Sequence, residues 1–132
     1  MARQAGDWQS WVMGRDVAGT SPHRRQIEKG LPMLIAHVRF RVVEEDRQKA
    51  LDALMANAAA IRAMKGCLAF VPFLDPTDRQ GLGVLHEWQS GEDFAAYAAS
   101  PAFVETASIL RPLMTAAPVS RRFDARLIET VN

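Results

Sequence analysis

The sequence predicts an α+β fold: one four-stranded antiparallel sheet, reached in the chain order β-α-β-β-α-β, with helices on one face. Three observations predict it. Residues 33–43 alternate, with Leu34, Ala36, Val38, Phe40 and Val42 set against Met33, Ile35, His37, Arg39 and Arg41, as in a strand with one wholly apolar face. A helical period follows directly, and then two strand-like runs, 67–74 and 82–89, meet across a turn at 75–81. Helix signals over 91–110 then precede a last alternating run, 119–130.

Each element has its own warrant. From Glu44 to Met64, apolar residues recur at the 3.6 period: Leu51, Leu54, Met55, Ala58, Ile61 and Met64. Glu44, Glu45 and Asp46 sit where carboxylates oppose the positive end of the helix dipole, and Lys65-Gly66 is the stop. Asn57 reads as exposed or locally hydrogen-bonded. Pro72 lacks an amide donor, so the strand 67–74 belongs at a sheet edge or bulge. In 82–89, Leu82, Val84, His86 and Trp88 share one face. Ser90 fits an N-cap with Asp93 three residues on, and Ser100-Pro101 repeats the signal for a second helix, 101–110. Phe94 and Tyr97 share a helix face; Phe103, Ala107 and Leu110 share another. In the last strand Phe123, Ala125 and Leu127 alternate with Arg122, Asp124 and Arg126.

Composition narrows the function classes. The 132 residues, 48% hydrophobic, suit one domain with one core. Residues 1–32 read as an N-terminal extension or arm, with Trp8 and Trp11 as candidate anchors, and 33–132 as the domain. The net charge is +1, and Arg24-Arg25 alone makes no basic patch, so no nucleic-acid partner is expected. No run of 18 apolar residues is present, so no membrane partner is expected, and a cytoplasmic setting is the default. The single Cys67 permits neither an intrachain disulfide nor a cysteine-built metal site. His23, His37 and His86 lack paired-ligand spacing, so no metal is expected. A sheet with helices on one face leaves the other bare, and a homodimer joined sheet to sheet is the expected cover.

Four pieces carry a family resemblance: Gly66-Cys67-Leu68-Ala69-Phe70; Asp75-Pro76-Thr77-Asp78; Glu87-Trp88-Gln89-Ser90; and Phe94 and Tyr97 followed by Ser100-Pro101-Ala102-Phe103. Together they resemble the antibiotic biosynthesis monooxygenase (ABM) domain family over about residues 33–128. The resemblance implies a ferredoxin-like domain that dimerises into a shared β-barrel. It also implies a monooxygenase that oxidises an electron-rich aromatic, a quinol, naphthol or polyketide, with dioxygen and no cofactor. A non-catalytic small-molecule-binding dimer of the same fold is the alternative. Haem-degrading members build their site from a strand-one Asn, a strand-three Trp and a last-helix His. Here Trp88 matches the Trp, but the Asn position falls on Val38 and the His position near Ala107, so haem degradation is not expected. Quinol-type members often carry His where this chain has Tyr97 and Ala102.

Oxidation without a cofactor needs a dry aromatic slot, a base that ionises the substrate, and a donor for the resulting oxyanion. His86 is the candidate base, since an unperturbed imidazole titrates near pH ~6.5. Trp88 is placed to stack on the ring and Tyr97 to donate to a substrate oxygen. Val38, Phe40, Phe70, Phe94, Phe103 and Met114 are the expected pocket walls. Each also has a plain packing role in a core of this kind.

Overall fold

A computed structural model describes residues 31–132. The arm reading, with Trp8, Trp11, His23, Arg24 and Arg25, lies outside the described residues. The strands are β1 (Pro32–Arg41), β2 (Cys67–Leu74), β3 (Gly81–Trp88) and β4 (Val119–Arg126). The helices are α1 (Arg47–Ala56), α2 (Ala58–Arg62), α3 (Gly91–Ala98) and α4 (Pro101–Leu110). The sheet runs β2-β3-β1-β4, all antiparallel, which is the expected split order.

The alternation in β1 sets the layers. Leu34, Ala36, Val38, Phe40 and Val42 are buried beneath the helices. His37 and Arg39 face away and are exposed. Pro72 lies in β2, an edge strand, where a missing amide is tolerated, and the ladder shifts register between Cys67 and Ala69. Gly83, in β3, has Phe73 as its partner across the ladder; a Cβ there would strike the Val38 carbonyl and the Phe73 ring. Gly66 turns the chain into β2 with a φ of 81° and packs against the Asp93 side chain, but it is not the expected helix stop: the helix ends at Arg62, with Ala63 as its C-cap. Both serine caps form: Ser90 Oγ accepts from the Asp93 amide at 3.1 Å and Ser100 Oγ from the Phe103 amide at 3.2 Å.

Three further expectations need correction. The helix over 44–64 is not continuous: a 3-10 turn at Glu44–Asp46 leads into α1, and the chain breaks at Asn57 before α2. The break lets Asn57 Nδ2 donate across 3.0 Å to Thr106 Oγ1 on α4, so Asn57 is a half-buried tertiary contact. Met55, expected in the apolar stripe, is 48% exposed. The last strand ends at Arg126 rather than at residue 130. In register with β1, Ser120, Arg122 and Asp124 pair with Val38, Ala36 and Leu34 on the helical side, while Phe123 pairs with Ile35 on the open side.

Candidate functional site

The site begins with a row across the sheet. Antiparallel partners point to the same side, so Arg122 (β4), Ala36 (β1), His86 (β3) and Phe70 (β2) stand abreast beneath the helices. Ala36 has almost no side chain, which leaves room for Arg122 to lie 5.4 Å over the Phe94 ring. His86 is 1% exposed and Trp88, two residues on, 0%. The two rings therefore share the helical side of the sheet, as the alternation of the strand predicts.

Between sheet and helices lies a mostly apolar cleft. The sheet supplies Val38, Phe40, Val84 and His86; α1 supplies Leu54 and α3 Tyr97; α4 supplies Phe103, Thr106, Ala107 and Leu110. The space between its atoms is about 430 Å³ once the mouth, open to solvent, is counted. The interior that water can occupy is about 40 Å³. That is above the roughly 10–15 Å³ that one water needs and too small to enclose a fused ring.

His86 has a defined chemical state. The indole Nε1–H of Trp88 donates to His86 Nδ1 at 2.9 Å, and both groups are buried. A nitrogen that accepts from an N–H carries no proton, so the neutral ring holds its proton on Nε2. Burial, with the positive charge of Arg122 and then His37 adding to it, pushes the imidazole pKa down to about 3. With Nδ1 accepting from the indole and the pKa lowered, the environment of His86 favours the neutral ring over the imidazolium that a base near neutral pH would become. Among the described residues Nε2 has no hydrogen-bond partner.

Tyr97 lies 5.7 Å from the His86 ring and also lines the cleft. Burial first, and the Cys67 thiol second, raise its pKa, so the phenol keeps its proton. Its hydroxyl too has no partner among the described residues. Thr106 differs: its Oγ1 donates to the Ala102 carbonyl at 2.9 Å and accepts from Asn57, so its proton is already used. Among the described residues no cluster of three His, Cys, Asp or Glu side chains could hold a metal.

Of the residues expected at the site, Val38, Phe40, His86, Tyr97 and Phe103 line the cleft together. Trp88 does not. Its face is stacked on Tyr97, at 5.1 Å and 25°, and its indole N–H is bonded to His86. Phe70 and Phe94 stand behind the imidazole, at 5.5 and 5.7 Å, and hold it from both sides rather than line the space. Met114 is half-buried in a bridge to Val42, outside the lining. Leu54, Val84, Thr106, Ala107, Leu110 and the neighbouring Arg122 were not expected at the site. Leu54, Val84, Ala107 and Leu110 follow from the apolar periods of their own elements; polar Thr106 and Arg122 have no such signal.

Comparison with known proteins agrees with this architecture. The chain resembles a conserved protein of unknown function from Bacteroides thetaiotaomicron, described as a possible oxidoreductase, at 26% identity and a TM-score of 0.66, over 74% of this chain and 100% of that one. It resembles a candidate antibiotic biosynthesis monooxygenase from Nitrosomonas europaea at 13% identity and a TM-score of 0.69, over 76% and 95%. A third, from Chloroflexus aurantiacus and of the same candidate description, matches at 26% identity and a TM-score of 0.60, over 70% and 92%. No curated protein matches the sequence. The family model for antibiotic biosynthesis monooxygenase matches residues 33–108, from the start of β1 into α4 and more than half of the chain, with His86, Trp88 and Tyr97 inside the matched stretch. On the strength of that match and of the shared fold, the chain belongs to the antibiotic biosynthesis monooxygenase family.

Proposed function

We propose that this protein is a cofactor-independent monooxygenase that oxidises an electron-rich aromatic, a quinol, naphthol or polyketide-like phenol, with dioxygen. The observation that carries the proposal is a neutral imidazole N–H and a phenol O–H, both without a partner among the described residues, lining one apolar cleft. An ionised phenol ring gives up an electron to dioxygen far more readily than the neutral ring. Donors fixed in a dry site stabilise the oxyanion without reorganising. The overall step balances without an external reductant. A phenol with a free para carbon plus one dioxygen gives a quinone plus water: one oxygen atom enters the ring carbon, and the other leaves with the two hydrogens.

Oxygen uptake with a panel of quinols and naphthols, read with product mass under ¹⁸O₂, tests it. One uptake per product and one labelled atom retained are expected. His86→Phe is expected to lower kcat/KM by about 10²-fold, the loss typical of one oxyanion donor. Binding of these compounds with no uptake would contradict turnover and leave the binding dimer as the reading.

We also propose that the open sheet face pairs with a second copy of the chain. It presents Ile35, Phe73, Leu85, Val71 (46% exposed) and Phe123 (38% exposed), while Arg121 and Arg39 lie over the Phe123 and Phe73 rings. A bare apolar sheet face calls for a partner layer, and a two-fold axis supplies an identical one. Sedimentation is expected to give a dimer for the wild type and a monomer for Leu85→Asp; a wild-type monomer would contradict this.

A further inference from the structure

We propose that the cleft takes its ligand as an anion that the ligand brings already ionised, a phenolate or enolate whose oxygen accepts from the Nε2–H of His86 and the hydroxyl of Tyr97, and that Trp88 is the positioning residue for that donor. The inference rests on the reading of this cleft as the substrate site.

The geometry fixes the sign of the ligand. With Nδ1 occupied by the Trp88 indole, His86 cannot accept a proton without breaking that hydrogen bond. The nitrogen left for a ligand is a donor. Tyr97 adds a second donor, and the Thr106 proton is spent on Ala102. The rest of the lining is apolar, so the polar groups that line the cleft offer protons rather than take them. Two donors in a low-dielectric space favour a charged acceptor, because charge-assisted hydrogen bonds are about twice as strong as neutral ones.

The surrounding charges agree. Arg122, from β4, and His37, from β1, act on His86, and the Cys67 thiol, from β2, acts on Tyr97. The residues that α1 and α4 bring to the lining are not ionisable. No lining residue is thus placed to pull a proton from a weakly acidic phenol. The ligand class that suits the cleft is an acidic phenol or enol, ionised in water at the working pH. Examples are an acyl- or quinone-conjugated phenol, or the enol of a 1,3-dicarbonyl.

The test uses the full-length protein and 4-nitrophenol, whose phenolate is read by absorbance, with affinities measured below and above the probe's own pKa. The phenolate is expected to bind at least about tenfold more tightly than the phenol, so the pKa of the bound probe falls by at least about one unit. Trp88→Phe is expected to weaken phenolate binding by about tenfold and leave phenol binding unchanged, whereas a purely structural role would weaken both together. His86→Phe is expected to abolish the preference. Equal affinity for the two forms, no binding of either, or a preference that survives His86→Phe would overturn the proposal. The outcome is separable from the oxygenase reading. Oxygen uptake with no anion preference defeats this inference alone; anion preference without uptake defeats the oxygenase alone.

Discussion

Trp88→Ala is expected to destabilise the protein by about 4 kcal/mol, and Trp88→Phe by about 2 kcal/mol, as read from denaturant midpoints. Two losses combine in the alanine variant. Trp88 is 0% exposed and stacks on Tyr97, so truncation opens a cavity that neighbours fill only in part. The second loss is polar. Without the indole N–H, His86 Nδ1 is a buried acceptor with no donor, which costs about 1–3 kcal/mol by itself. Trp88→Phe keeps most of the packing and isolates that second part. It also frees the imidazole to move its proton to Nδ1, which turns the nitrogen left for a ligand from donor to acceptor. A Trp88→Phe midpoint equal to the wild type would show that the hydrogen bond carries no weight. For a domain whose total stability is about 5–15 kcal/mol, the alanine variant stands at the margin of folding.

The second large effect is on acid stability. His86 is neutral in the folded protein down to about pH 3. In the unfolded chain it takes a proton near pH ~6.5. Between those values the unfolded state binds more protons, so stability rises with pH and falls as pH drops. Nothing is lost above about pH 6.5, and the loss is complete near pH 3, with an upper bound of roughly 5 kcal/mol at about 1.36 kcal/mol per pH unit. From pH 7 to pH 5 the expected loss is roughly 2 kcal/mol. His86→Phe removes this dependence and leaves that of the carboxylates, including half-buried Asp75 and Asp78, whose pKa values are lowered by Thr77 and Arg41 respectively. The difference between wild-type and variant pH profiles therefore isolates the imidazole. Parallel profiles would mean that His86 titrates alike in the folded and unfolded states.

Local signals predicted the fold well because they are local. The alternation of β1, the two serine caps, the edge position required by Pro72 and the turn at Gly66 each depend on a few adjacent residues. The errors fall where a distant partner decides. Asn57 breaks the first helix, and its side chain bonds Thr106, 49 residues away in sequence. In β4 the apolar Phe123 faces outward and the charged Arg122 inward, the reverse of what a strand on a one-sided core favours. That parity is the one the proposed sheet-to-sheet pairing favours.

The candidate site divides in the same way. That His86 and Trp88 share a face follows from strand periodicity alone. What they do there does not, because the role of His86 turns on which of its nitrogens meets the indole. That contact depends on side-chain rotamers two residues apart on one strand, and it leaves the proton of the neutral ring on Nε2. Trp88 likewise is stacked on Tyr97 and bonded to His86.

The most direct measurement is the ¹⁵N spectrum of the histidine rings in labelled protein, followed from pH 8 to pH 4, with the His86 signals assigned by their loss in His86→Phe. The account predicts a proton on Nε2, none on Nδ1, and no titration across that range. A proton on Nδ1, or a midpoint near pH ~6.5, the value of an unperturbed imidazole, would contradict it.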